Sequence, residues 1–142
     1  MFIRIPLIFI IYSMKENFAA RRSSLAEKVL DNSAIIIGSA PVKSRISDTD
    51  YAYRQDSNFY YLSGYEEPES LLLLRPGHNT EKFVIFCRDR DPLREQWDGF
   101  RSGQDGAVSN YGADAAYSIN AIDKLLPGCL LYTSDAADEI TG

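Results

Sequence analysis

The chain has 142 residues, of which 45% are hydrophobic and 25% are charged, and its formal net charge is −5. This length supports one ordinary domain with a single core and is too short for two. The acidic balance argues against nonspecific nucleic-acid binding, because neutralising phosphates requires clustered Lys and Arg. The cysteines, Cys87 and Cys129, are too few for a disulfide framework, so we expect a reduced, buried Cys87 and a cytoplasmic protein.

The N-terminal end reads as foreign to that domain. Residues 2–12 are apolar, but Arg4 and Pro6 interrupt the run, and it is shorter than the about 20 residues that a membrane-spanning helix needs. We expect residues 1–13 to be a spurious extension before a true start at Met14. A signal peptide and an extra apolar arm are the alternatives.

The C-terminal end also reads as foreign. Residues 129–142 begin with CLLYTSDAADE, which resembles the translation of a sequencing-library adapter. The alternative is a last strand with a polar tail. We therefore expect the domain to occupy residues 14–128 and its natural continuation to be missing.

Helices and strands alternate along residues 15–126. In chain order the predicted elements are a helix over 15–30, a strand over 34–37, a polar loop to residue 50, a hairpin of strands over 70–74 and 82–87, helices over 92–97 and 102–111, a strand over 115–117, and a helix over 119–126 that Ser118 caps. The apolar strand at 34–37 reads as buried on both faces. The leucine-rich hairpin reads as the centre of a sheet, because it would aggregate if exposed. The pattern predicts an α/β domain.

Residues 51–69, YAYRQDSNFYYLSGYEEPE, fit neither a plain amphipathic strand nor a plain helix. Aromatic rings bury large apolar areas, whereas their hydroxyls and the polar residues between them need partners once they leave water. We expect a folded, hydrogen-bonded corner. It serves either to fix the shape of the domain or to form a recognition surface.

Catalytic chemistry is not visible in the sequence. Metal catalysis needs several convergent ligands, but the single histidine, His78, lies in the hairpin turn, and the carboxylates lack ligand spacing. There is also no phosphate loop, nucleophile elbow or Cys–His pair. We therefore predict no catalytic residue and no metal ligand in this chain.

Three blocks resemble the N-terminal domain of aminopeptidase P, an Xaa-Pro aminopeptidase of the creatinase/prolidase superfamily. The first is the run 51–69, in which the matching motif residues include Tyr53, Arg54, Gln55, Ser57, Phe59, Gly64, Glu67 and Pro68. The second joins RDRD at 88–91 to Glu95, Trp97, Gly99, Arg101 and Gly103. The third is Phe18, Arg21 and Arg22 before the strand at 34–37. The resemblance implies a mixed β-sheet flanked by helices.

The resemblance also implies a function for the complete protein. Relatives carry a dinuclear metal site, usually manganese, in a C-terminal pita-bread domain that this sequence lacks, and they release the N-terminal residue of Xaa-Pro peptides. This chain alone would then be inactive. Its expected partners are the missing catalytic domain, a second copy in a homo-oligomer, and proline-containing peptides, without nucleic acid or membrane.

Single residues carry further expectations from the resemblance. Trp97 matches a tryptophan that lies near a catalytic pocket, commonly that of a neighbouring subunit, and the alternative is a core or interface role. Phe100 departs from the arginine usual at its position. Arg54 is expected to pair with Asp56 or a carbonyl more than to clamp substrate. For the whole protein, the other hypotheses are an interaction module without catalysis, as in histone-chaperone subunits, and a prolidase-type dipeptidase.

Overall fold

The computed structural model describes residues 7–46, 49–50 and 52–130. In chain order the elements are α1 (Leu7–Ala26), β1 (Ile35–Gly38), β2 (Ser44–Ile46), β3 (Thr49–Asp50), α2 (Ser57–Ser63), β4 (Leu71–Leu74), β5 (Phe83–Cys87), α3 (Pro92–Asp98), α4 (Gly103–Tyr111), β6 (Ala115–Ser118) and a 3-10 turn (Ile119–Ala121). A further helix, α5, occupies residues 122–130. None of the helices within these ranges is both long and apolar enough to cross a bilayer.

Four strands form one mixed sheet in the order β1-β4-β5-β6. The pairs β1–β4 and β4–β5 are antiparallel, and β5–β6 is parallel. A parallel pair needs a crossover connection, and here α3 and α4 lie in it. The strands β2 and β3 form a separate hairpin within the predicted polar loop. The predicted α/β fold with a mixed sheet and flanking helices is confirmed.

The core lies on both faces of the β4–β5 hairpin. Side chains of β5 alternate between the faces, so Phe83, Ile85 and Cys87 face one cluster while Val84 and Phe86 face the other. The first cluster also contains residues of α2 and α4, namely Phe59, Leu62 and Ala107. The second is covered by partly buried residues that follow β5, namely Tyr117, Ile119, Ile122, Leu126 and Cys129. The predicted central position of the hairpin is therefore confirmed.

The prediction that the first strand is buried on both faces is wrong. Ile35 and Ile37 are half-buried, but Ile36 is 43% exposed. The strand β1 lies at the edge of the sheet, where its only pairing in the described sheet is with β4. An apolar run of four residues cannot distinguish an edge strand from a central one, because both positions bury at least one face.

Helix boundaries differ from the prediction at both ends of the domain. The helix α1 ends at Ala26 rather than Leu30, because the backbone tightens into bonds from Lys28 N to Leu25 O at 3.0 Å and from Val29 N to Ala26 O at 3.4 Å. The predicted helix over 119–126 is split into the 3-10 turn and α5. Its predicted cap is confirmed, since Ser118 Oγ accepts a bond from Asn120 N at 3.2 Å.

The interpretation of the two terminal segments, 1–13 as an extension and 129–142 as a tail, stays a prediction. Residues 1–6 and 131–142 lie outside the described residues, so the first part of the expected extension and most of the expected tail do too. The helix α1 runs continuously across the expected start at Met14, and residues 129–130 lie in α5.

Candidate functional site

Gln55 is the hydrogen-bonding centre of the predicted corner. Its Oε1 accepts bonds from Ala40 N at 2.9 Å, the Tyr53 hydroxyl at 2.9 Å and Asp56 N at 3.0 Å. Its Nε2 donates to the carbonyl oxygens of Tyr65 at 3.2 Å and Glu67 at 3.1 Å. Gln55 is 9% exposed. One buried amide therefore joins three separate backbone segments, and the predicted corner is present.

The corner contains a helix that the sequence did not predict. The helix α2 begins at Ser57, and the Asp56 carboxylate caps it by accepting from Phe59 N at 3.0 Å. It ends at Gly64, whose φ is 70° and whose N–H donates to Tyr60 O at 2.7 Å. A helix of seven residues is not stable alone. It forms here because both ends are capped and Phe59 is fully buried.

The third block packs directly on this helix. The Phe18 ring meets the Tyr60 ring edge-on, with the centroids 5.8 Å apart. A Cβ at Gly64 would lie 2.5 Å from a Phe18 ring carbon, so this position needs glycine for space as well as for its left-handed backbone. The Arg21 guanidinium lies 4.5 Å from the Tyr61 ring centroid and donates to Tyr61 O at 3.3 Å.

Arg22 fastens α1 to both α2 and the sheet. Its Nη1 donates to Leu62 O at 2.8 Å, and its guanidinium lies 3.9 Å from the Phe83 ring centroid. Burial lowers the pKa of Arg22 to about 10, against the opposing charge of Asp114. The guanidinium therefore stays protonated at neutral pH and acts as a structural clamp.

Glu67 joins the first block to the second. Its carboxylate pairs with the Arg88 guanidinium at 3.4 Å and accepts a bond from Ser102 N at 3.0 Å. Its backbone oxygen accepts from the Ser70 hydroxyl at 2.8 Å. Pro68 follows in a half-buried bend. The spacing between the two blocks is therefore fixed by one side chain.

Tyr65 is the largest fully buried side chain of the described core. Its ring meets the Tyr111 ring edge-on, with the centroids 4.8 Å apart. Its buried hydroxyl lies beside the Cys87 thiol and the Glu67 carboxylate. Burial, and secondarily the charge of Glu67, hold the pKa of Tyr65 far above its ordinary value. The hydroxyl is therefore a neutral buried group and not an acid or base for catalysis near pH 7.

The helix α3 is fastened at its N-terminal end. The Asp91 carboxylate caps it by accepting from Arg94 N at 3.2 Å. The Glu95 carboxylate accepts from Arg101 N at 2.7 Å and Asp91 N at 3.2 Å, and pairs with Arg90 Nε at 2.9 Å. The bond from Arg101 N is the largest cause of a lowered pKa at Glu95. Glu95 thus anchors the loop that follows α3 to the N-terminal end of the same helix.

The helix α3 and the loop that follows it present three large apolar side chains to solvent. Leu93 is 74% exposed, Trp97 is 89% exposed and Phe100 is 69% exposed. We call these three residues the exposed apolar face. The core alternative for Trp97 is therefore wrong. Clustered exposed apolar side chains mark contacts with other molecules, whereas single ones need no explanation. The Arg90 guanidinium lies 4.9 Å from the Phe100 ring centroid, at the border of this face.

Arg54 does not have the expected structural partner. It is exposed, and it makes no hydrogen bond or ion pair with any residue that the structure describes, including Asp56. The Asp56 carboxylate is used instead by the cap of α2. Arg54 lines a surface cavity of about 430 Å³ together with Tyr53, Tyr61 and Glu66. Ser57 is exposed and serves as the first residue of α2.

The described residues do not fit a metal site. Among residues 7–46, 49–50 and 52–130, no group of three or more His, Cys, Asp or Glu residues could hold a metal ion. The ring of His78 has a structural contact, because its Nδ1 accepts from Glu81 N at 2.8 Å and from Thr80 N at 3.2 Å. A dinuclear manganese centre would therefore need ligands from outside this part of the chain, and we derive no catalytic step through one.

The three blocks are thus neighbours in space, with Gln55, Gly64 and Glu67 at their contacts. Together they position α3, a helix that is anchored at its start and carries an exposed tryptophan. The family model described as aminopeptidase P, N-terminal domain, matches residues 18–136. The chain belongs to the aminopeptidase P family, as an N-terminal domain. A Haemophilus influenzae Xaa-Pro aminopeptidase is 41% identical over 116 residues, which are 82% of this chain and 27% of that protein.

Solved structures of aminopeptidase P share the fold. The Pseudomonas aeruginosa aminopeptidase PepP superposes with a TM-score of 0.78 at 47% identity, over 89% of this chain and 27% of that one. The Escherichia coli aminopeptidase P superposes with a TM-score of 0.74 at 39% identity, over 79% of this chain and 26% of that one. The latter has been solved with the inhibitor Pro-Leu and, zinc-substituted, in complex with product. The chain therefore spans about a quarter of the length of the relatives it matches.

Sequence reasoning missed two residues of this arrangement. Asp56 and Glu95 were part of the matched runs, but their roles as a helix cap and a loop anchor were not recognised. For Asp56, the available indication was its position directly before Ser57, the first residue of α2, because an Asp at such a position is typical of an N-cap. The bond from Arg101 N to Glu95 could not be foreseen, because it depends on how the chain turns after α3.

Proposed function

We propose that this chain is the non-catalytic N-terminal part of a metallo-aminopeptidase that releases the N-terminal residue of Xaa-Pro peptides. Membership in the aminopeptidase P family and the match to about a quarter of each relative support this proposal. The bond-breaking groups would lie in the remaining part of the complete protein. Manganese is the metal that we expect there, although the Escherichia coli relative is also known in a zinc-substituted form.

We further propose that the exposed apolar face shapes the mouth of an active site, in a homo-oligomer of the complete protein. The observation that carries this step is Trp97, which is 89% exposed on a helix whose start is held by Asp91 and Glu95. An indole ring is a rigid apolar plate that packs against a proline ring at low entropic cost. Fastening its helix in advance lowers the ordering cost of such a contact.

Trp97→Ala in the full-length protein tests this role. Truncating a central aromatic contact typically costs at least about 2 kcal/mol, so we expect kcat/KM for an Xaa-Pro peptide or the subunit association constant to fall about 30-fold or more. Trp97→Phe should restore part of the loss. Leu30→Ala is the matched control, because Leu30 is 76% exposed in the turn after α1 and lies outside this face. Unchanged kinetics and unchanged sedimentation in Trp97→Ala would refute the role.

The exposed apolar face also fits a second candidate, an interaction module without catalysis. Peptide hydrolysis by the full-length protein separates the candidates. Release of the first residue from Xaa-Pro peptides longer than two residues, with manganese or zinc supplied, supports the aminopeptidase. Hydrolysis restricted to dipeptides supports a prolidase-type enzyme, and no hydrolysis with either metal supports the module.

The 142-residue chain alone should be inactive and should not bind manganese tightly. Cell fractionation tests the proposed cytoplasmic location.

A further inference from the structure

A polar cavity of about 360 Å³ lies beside the start of α3, between the loop that follows β5 and the 3-10 turn. Four arginines line it, namely Arg88, Arg90, Arg94 and Arg101. In the sequence, RDRD at 88–91 reads as a balanced run of charges. In the structure, the positive and negative groups have different surroundings.

Two of the three carboxylates that line this cavity accept hydrogen bonds from neutral donors. Asp89 accepts bonds from Gln104 Nε2 at 3.0 Å and from the Ser118 hydroxyl at 3.0 Å. Asp91 caps α3 through Arg94 N. Glu69 lines the cavity but makes no hydrogen bond or ion pair with the residues that the structure describes. Glu67 and Glu95 pair with Arg88 at 3.4 Å and with Arg90 at 2.9 Å. Within the described residues, this leaves Arg94 and Arg101 without a carboxylate at contact distance.

Two guanidinium groups at the cavity have unused donors. Arg101 is 9% exposed, and its Nη1 donates to Asp89 O at 3.2 Å, but its buried Nε has no partner within the described ranges. Arg88 pairs with Glu67 through Nη2 at 3.4 Å, and its buried Nε also has no partner there. Buried donors are nearly always paired, and charged ones most of all. Arg94 adds an exposed cation whose guanidinium makes no bond within those ranges.

We propose that this cavity, which we call the arginine cavity, is a carboxylate-binding site formed by Arg101, Arg88 and Arg94. Guanidinium groups match the planar geometry of a carboxylate and bind it through charge-assisted hydrogen bonds. The volume suits a small carboxylate or the end of an acidic side chain. The site lies outside the exposed apolar face and does not depend on the proposed peptidase function.

Thermal unfolding of the 142-residue chain in sodium acetate tests the site, with sodium chloride at the same ionic strength as the reference. We expect acetate at ten times its Kd to raise the midpoint by about 5 °C relative to chloride. Arg94→Gln should weaken acetate binding about ten-fold, since it removes one charged contact from an exposed position. Arg54→Gln is the matched control, because it removes an exposed arginine that does not line this cavity.

Equal midpoints in acetate and chloride would overturn the proposal. So would wild-type acetate affinity in both Arg94→Gln and Arg101→Lys. The same titration on the full-length protein distinguishes two sources of the carboxylate. A response in both proteins assigns a free small carboxylate, whereas a response in the 142-residue chain alone assigns an Asp or Glu side chain of the complete protein.

Discussion

Replacing Gln55 by alanine is expected to destabilise this domain by about 3–5 kcal/mol. The amide makes five hydrogen bonds, to Ala40, Tyr53, Asp56, Tyr65 and Glu67. Each such bond contributes about 0.5–1.5 kcal/mol, and a buried group left unpaired costs about 1–3 kcal/mol. We expect a loss smaller than the sum of these contributions over all five bonds, because water can reach and hydrate part of the opened corner. The total free energy of unfolding of a domain of this size is only about 5–15 kcal/mol.

Urea unfolding followed by far-UV circular dichroism measures this loss. Tryptophan fluorescence is a poor probe, because Trp97 is already 89% exposed in the folded chain. Arg54→Ala is the control at the neighbouring position, and it should change the unfolding free energy by less than about 0.5 kcal/mol. A loss below about 1 kcal/mol for Gln55→Ala, or one equal to that of the control, would refute the role of Gln55.

Gln55→Glu separates the hydrogen bonds from the volume of the side chain. A carboxylate oxygen would then face the carbonyl oxygens of Tyr65 and Glu67, which now accept from Nε2. Burial and these carbonyls should raise the folded-state pKa of the new carboxyl above its unfolded value. The stability of the variant should therefore be highest below the unfolded pKa and should fall as the pH rises through the folded pKa. A pH-independent difference from the wild type would contradict this reasoning.

Three further predictions concern single side chains. Gly64→Ala should cost about 2–4 kcal/mol in denaturant unfolding, because the new Cβ adds a clash to a left-handed backbone, whereas Gly38→Ala, with nothing within 4 Å of its Cβ, should be nearly neutral. Burial raises the pKa of the Cys87 thiol to about 11, so in a Cys129→Ser background a thiol reagent should label it only as fast as the domain opens, and rapid labelling of the folded protein would contradict this. Burial, and then the charge of Arg75, lower the pKa of His78. Its contribution to stability should be present above the ordinary histidine pKa and lost as the pH falls through the lowered one, and a pH-independent stability difference between wild type and His78→Ala would refute this.

Part of the candidate site could be read directly from the residues. The run 51–69 predicted a hydrogen-bonded corner from its mixture of aromatic and polar side chains, and Gln55 is the buried amide that such a corner needs. The leucine-rich hairpin was predicted to lie at the centre of the sheet because its apolar strands need burial. In the structure β4 and β5 lie between β1 and β6. The core alternative for Trp97 could not be excluded in this way, because a single large apolar residue is compatible with burial and with a contact surface.

Local pattern and chemistry determined the α/β class, the leucine hairpin, the polar corner and the absence of a recognisable catalytic motif, because apolar periodicity and turn residues act over a few neighbours. Contacts between distant residues decided the rest. Only the tertiary structure placed Gly64 against Phe18, joined Glu67 to Ser102, left Ile36 at a sheet edge and exposed Trp97 on a fastened helix. The physical reason is that burial and hydrogen-bond partners depend on which segments meet, and residues far apart in the chain meet only once the whole domain has folded.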